Sequence, residues 1–142
     1  MHPDAKVLVV DDEEVVRASY LRILAGPQCD VCQVGSGPDA LQLMDQQAFD
    51  VVLLDQKMPG MDGMAVLQSI KARWPATEVI MITGYPALEA AKQAVRLGAC
   101  DYLAKPVGPD EVIQAAHSAM AHKRWGLRAD RGSGDRAAER VG

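Results

Sequence analysis

The chain alternates short apolar runs with stretches in which apolar residues recur every three or four positions, and it does so five times. KVLVV (6–10), DVCQV (30–34), the run from Asp50 to Asp55, EVIMIT (78–83) and DYLAK (101–105) have the length of strands. Val7 to Val10, Val51 to Leu54 and Val79 to Ile82 are apolar without alternation, as in strands covered on both faces. Between the strands the period becomes helical. About Glu13 to Ala25 carries Val16, Tyr20, Ile23 and Leu24, and Gly26 with Pro27 closes it. Pro38 to about Gln47, capped by Ser36, presents Ala40, Leu41, Met44 and Ala48. Gly63 to Trp74 carries Val66, Leu67 and Ile70 and stops at Pro75; Pro86 to Leu97 stops at Gly98; Pro109 to about Arg124 ends the series. This order predicts an α/β fold with a five-stranded parallel sheet, helices on both faces and right-handed crossovers.

Such sheets bind ligands beyond the carboxyl ends of their strands. The first strand runs into Asp11, Asp12, Glu13 and Glu14; the third, within VVLLDQKMPGMDG, ends on Asp55; the fourth ends on Thr83; the fifth ends on Lys105, followed by Pro106. A doubly buried strand has no packing use for an acid at its tip. Carboxylates gathered there repel one another unless a cation sits among them, and an all-oxygen ligand set with room for water suits Mg²⁺. A carboxylate beside Mg²⁺ can attack phosphorus, and the Lys105 ammonium and Thr83 hydroxyl can then stabilise the phosphoryl oxygens. Taken singly, these residues have ordinary readings as a helix cap, a strand end and a surface ion pair. Their coincidence at matching strand ends favours a site.

Composition narrows the setting. The 142 residues suit one domain, and 49% apolar with 24% charged residues suits a soluble globular one. No apolar run approaches a membrane span and no signal segment opens the chain, so a cytoplasmic location is expected. The stretch 126–142 has four Arg against three acids and no periodic apolar residues; it reads as a polar, disordered tail or linker after a domain at 1–125. The net charge of −4 then leaves −5 on residues 1–125, which argues against nucleic acid as a partner of the folded part. Cys29 and Cys32 form a CxxC, but Cys32 lies inside a strand, Cys100 is the odd third, and the His117 and His122 spacing is awkward for zinc. Cys29 and Cys32 read as buried strand cysteines.

With VLVVDDEE, VVLLDQKMPGMDG, VIMITGY and LGACDYLAKP in order, the chain resembles the receiver domain of bacterial two-component response regulators over about residues 5 to 124. The last two segments look most like receivers of NtrC-like and FixJ-like transcription factors. The resemblance implies a flavodoxin-like (βα)5 fold with strand order 2-1-3-4-5. It implies phosphorylation of Asp55 from a phosphohistidine on a sensor kinase or phosphotransfer protein. It also implies Mg²⁺ held by Asp12 directly, by Asp11 through water, by Asp55 and by the Lys57 carbonyl. Lys105 would contact the phosphoryl group, Thr83 and Tyr102 would be the switch pair, Lys57 and Tyr85 would modulate its lifetime, and the bond before Pro106 would be cis. Such a protein catalyses only its own phosphorylation and dephosphorylation. Its face of helix four, strand five and helix five would signal to an effector or output domain, or form a phosphorylation-dependent homodimer. A haloacid-dehalogenase-type phosphatase would need an acid where Lys57 stands, and a flavodoxin-like cofactor binder would not place DDEE at the phosphate loop. A phosphorylation-independent pseudo-receiver acting as an interaction module is the remaining alternative.

Overall fold

Strands that must be covered on both sides take the middle of a sheet. The computed structural model describes residues 5–27 and 29–131, with side chains in the last helix up to His122. In chain order the elements are β1 (Ala5–Val10), α1 (Glu14–Leu24), β2 (Cys29–Val34), α2 (Gly37–Gln46), β3 (Val51–Asp55), β4 (Lys57–Met58), β5 (Met61–Asp62), α3 (Gly63–Arg73), β6 (Glu78–Thr83), α4 (Leu88–Arg96), β7 (Asp101–Ala104) and α5 (Pro109–Arg131). β4 and β5 form a small antiparallel pair, and the other strands form one five-stranded sheet ordered β2-β1-β3-β6-β7, all neighbours parallel. This is the expected 2-1-3-4-5 order, with β6 and β7 as its fourth and fifth strands. Every residue of β3 and β6 is buried.

Alternation along the strands divides the core in two. Leu8, Val10, Val52, Leu54, Val79 and Met81 face Ala40 and Met44 of α2, Leu67 and Ile70 of α3 and Ala94 of α4. Val7, Val9, Val51, Leu53, Ile80 and Ile82 face Tyr20 of α1 and Val112, Ala115 and Ala119 of α5. Cys29 packs against the second layer and Cys32 against the first, so the CxxC points its thiols to opposite faces and holds neither a disulfide nor a shared metal; both are only half-buried rather than buried, because β2 is an edge strand.

Some boundaries differ from the sequence pattern. α4 starts at Leu88 rather than Pro86: Ala87 is extended (φ −146°, ψ 142°), which breaks the helix after Pro86, and it offers no capping side chain. Ala48 lies past α2 and is exposed, while the next residue, Phe49, takes the core position. α5 continues to Arg131, past the expected end near Arg124, because extending a formed helix costs far less than nucleating one. The rest of the stretch expected to be a polar tail, 132–142, lies outside the described residues. Among the described residues no helix is long and apolar enough to cross a membrane.

Candidate functional site

Because β1, β3 and β7 are parallel, their carboxyl ends open on the same edge, and each is followed by or ends on an ionisable group. Asp11 follows β1 and is only 2% exposed; Asp55 closes β3 at 6%. Lys105 follows β7, and its Nζ lies 3.0 Å from Asp11 Oδ2, 3.5 Å from Asp55 Oδ1 and 3.9 Å from Glu13 Oε1. One ammonium thus faces two buried carboxylates. The exposed Asp12 adds a third, and single oxygens of Asp11, Asp12 and Asp55 all lie within 4.8 Å of one another.

Backbone contacts hold this cluster in place. The Asp11 N–H donates to the Val34 carbonyl (3.2 Å), Asp11 Oδ1 accepts the Glu13 N–H (2.9 Å), and Arg17 Nη1 donates to the Asp11 carbonyl (2.7 Å). Past Asp55, the Gln56 N–H donates to Ile82 O and the Gly63 N–H to Gln56 O, both at 2.8 Å, which closes the loop back onto β3.

Electrostatics follow from the crowding. Burial, then the Asp11 carboxylate, push the Asp55 carboxyl up to about 6, against the pull of Lys105 and the Lys57 N–H that donates to it. Burial works against the Lys105 ammonium, but its hydrogen bond to Asp11 and the surrounding carboxylates outweigh that and raise it above the ordinary lysine value. A cation among the carboxylates would relieve their repulsion. The donor set, all hard oxygens with one member open to solvent, fits Mg²⁺.

The remaining residues form a rim. Thr83 is buried at the end of β6, its Oγ1 accepting the Tyr85 N–H at 3.0 Å and its carbonyl accepting the Lys105 N–H at 2.7 Å. The Tyr85 ring is 72% exposed and stands 4.8 Å from Lys57 Nζ, a cation–π contact between the loops after β6 and β3. Tyr102 packs along the α4 side of the sheet and donates from its hydroxyl to Gln56 Oε1 at 2.9 Å. The Lys105–Pro106 bond is cis. Glu14 begins α1 and is not among the clustered carboxylates. Two participants carried no signal in the sequence: Arg17, which appears there only as a helix residue, and Gln56, which follows Asp55 in an otherwise ordinary turn.

A doubly wound parallel sheet places its ligand site beyond the carboxyl ends of its strands, where Asp11, Asp55 and Lys105 meet here. The chain belongs to the response regulator receiver domain family of two-component systems, whose model matches residues 7–117. It is 39% identical over 121 residues to the transcriptional regulatory protein ZraR of Escherichia coli K12, covering 85% of this chain and 27% of that protein. To the DNA-binding transcriptional regulator NtrC of the same organism it is 40% identical over 116 residues, covering 82% and 25%. The chain therefore spans about a quarter of the length of these relatives. A CheY-like receiver domain from Methanospirillum hungatei JF-1 superposes with a TM-score of 0.81 at 27% identity, over 84% of this chain and 96% of that one.

Proposed function

We propose that the chain works as a phosphoacceptor switch, with Asp55 taking a phosphoryl group from a phosphohistidine of a sensor kinase or phosphotransfer protein. The supporting observation is the buried Asp55 among excess carboxylate, with the Lys105 ammonium 3.5 Å away. In the transfer a P–O bond to an Asp55 oxygen forms as the P–N bond breaks; the imidazole keeps the bonding electrons and takes up a proton. Asp11, Asp12, Asp55 and the Lys57 carbonyl would hold Mg²⁺, which when bound supplies charge neutralisation at a phosphoryl oxygen. Lys105 stabilises a second oxygen, and the Thr83 hydroxyl, still accepting from Tyr85, can donate its own proton to a third.

Phosphorylation adds negative charge and acceptor oxygens beside Thr83, and the face of α4, β7 and α5 adjusts with Thr83 and Tyr102. That face would carry the signal to an effector or to an output domain of the kind ZraR and NtrC, as transcriptional regulators, imply. The protein would act on no other substrate. Intact mass after incubation with Mg²⁺ and acetyl phosphate tests this. One added phosphoryl group, absent in Asp55→Asn and in EDTA, is expected. No adduct where a working receiver is labelled would leave a phosphorylation-independent interaction module.

A further inference from the structure

Tyr102 is tied to the loop that carries Asp55 by the side chain of Gln56. Its hydroxyl donates to Gln56 Oε1 at 2.9 Å, across the end of β6, which lies between β3 and β7. Gln56 cannot drift, because its N–H donates to Ile82 O and its carbonyl accepts the Gly63 N–H, both at 2.8 Å. The Tyr102 ring itself packs against the α4-side core with Ala90 and Leu97. The aromatic ring is thus drawn inward, over the end of the strand that bears Thr83, by a residue covalently adjacent to Asp55.

We propose that Gln56 is a positioning residue of the switch: its amide oxygen holds the Tyr102 ring inward, so that the loop bearing Asp55 reads the position of residue 102 directly as well as through Thr83. The proposal rests on the phosphoacceptor reading above. An inward ring favoured by phosphoryl binding favours that binding in return, and a contact that raises the inward population strengthens the binding by at most the factor by which it stabilises that arrangement. Removing the hydrogen bond then weakens that binding by up to about tenfold, the upper end of a single net hydrogen bond.

The test is the affinity of the full chain for beryllium trifluoride, a phosphoryl mimic, with Mg²⁺, in wild type, Gln56→Met, Tyr102→Phe and the double variant. Methionine keeps the glutamine's shape without its oxygen. Each single change is expected to weaken binding measurably, by up to about tenfold, and the double variant is expected to be no weaker than either. Fluorine NMR of fluorotyrosine-labelled, unliganded protein is recorded in parallel, and the Tyr102 signal is expected to move in Gln56→Met while those of Tyr20 and Tyr85 stay put. Additive losses in the double variant, or unchanged affinity in Gln56→Met despite a displaced Tyr102 signal, would overturn the proposal, as would a Tyr102 signal that does not move. A wild-type protein that neither binds the mimic nor is labelled by acetyl phosphate would instead bring down the phosphoacceptor reading, and this proposal with it.

Discussion

Asp55 occupies a place that disfavours its own charge. Burial and Asp11 lift its carboxyl to about 6, against an unfolded value near 3.8. Because the folded value is the higher one, the associated stability is fully present below about pH 4 and is lost as pH rises through about 6. At neutral pH without Mg²⁺ the ionised carboxylate therefore costs stability, on the order of 1–3 kcal/mol. Asp55→Asn is expected to raise the urea midpoint of the metal-free protein at neutral pH, with the advantage shrinking toward acid; equal midpoints at both pH values would refute this account. Tyr85 offers a second residue-scale expectation. It is exposed, its ring stands against Lys57 at the rim of the site, and on the phosphoacceptor reading it would shield an aspartyl phosphate from water. Tyr85→Ala should shorten the half-life of the phosphorylated form, read by loss of the added mass with time, and an unchanged half-life would show that the ring shields nothing.

At the scale of elements, the short connection from β3 to α3 carries the tightest constraint. A Cβ on Gly63 would stand 2.6 Å from Gln56 Cα and 2.7 Å from the carbonyl oxygens of Asp55 and Gln56, all of them backbone atoms unable to swing aside. Gly63→Ala should therefore destabilise the fold by about 2–3 kcal/mol and displace the loop holding Asp55 and Gln56. Thermal unfolding checks the first effect and acetyl phosphate labelling the second; a variant with wild-type melting and labelling would mean that the backbone yields easily. α4 sits at the other extreme. Among its described residues only Ala94 is buried, while Leu88 and Val95 are largely exposed, so little apolar area holds this helix to the sheet. A weakly anchored helix is the kind that can shift when its neighbours do.

For the whole molecule, binding and folding are linked. A cation that binds the folded carboxylate cluster and not the unfolded chain stabilises the protein by about 2.7 kcal/mol at a hundredfold excess over its Kd. Mg²⁺ should therefore raise the melting temperature, EDTA should reverse the rise, and Asp12→Asn should largely abolish it while leaving the metal-free melting temperature nearly unchanged, since Asp12 is exposed. A rise that survives in Asp12→Asn would place the ion elsewhere.

The sequence alone determined the strand and helix order, since doubly buried strands and amphipathic helices leave unmistakable periods in their apolar residues. It also singled out Asp11, Asp12, Asp55, Thr83 and Lys105, because polar groups at the ends of apolar strands violate the pattern around them. It could not say which acid of the Asp11 and Asp12 pair is buried: that depends on the Glu13 N–H, Arg17 and Lys105 all converging on Asp11. Nor could it place the start of α4, where Pro86 reads equally as a first helical residue and as part of the preceding turn. The roles of Gln56 and Gly63 were decided only by tertiary structure. A glutamine in a turn and a glycine at a helix start are unremarkable locally, and they gain meaning when crossover connections bring Tyr102 and the Asp55 backbone against them.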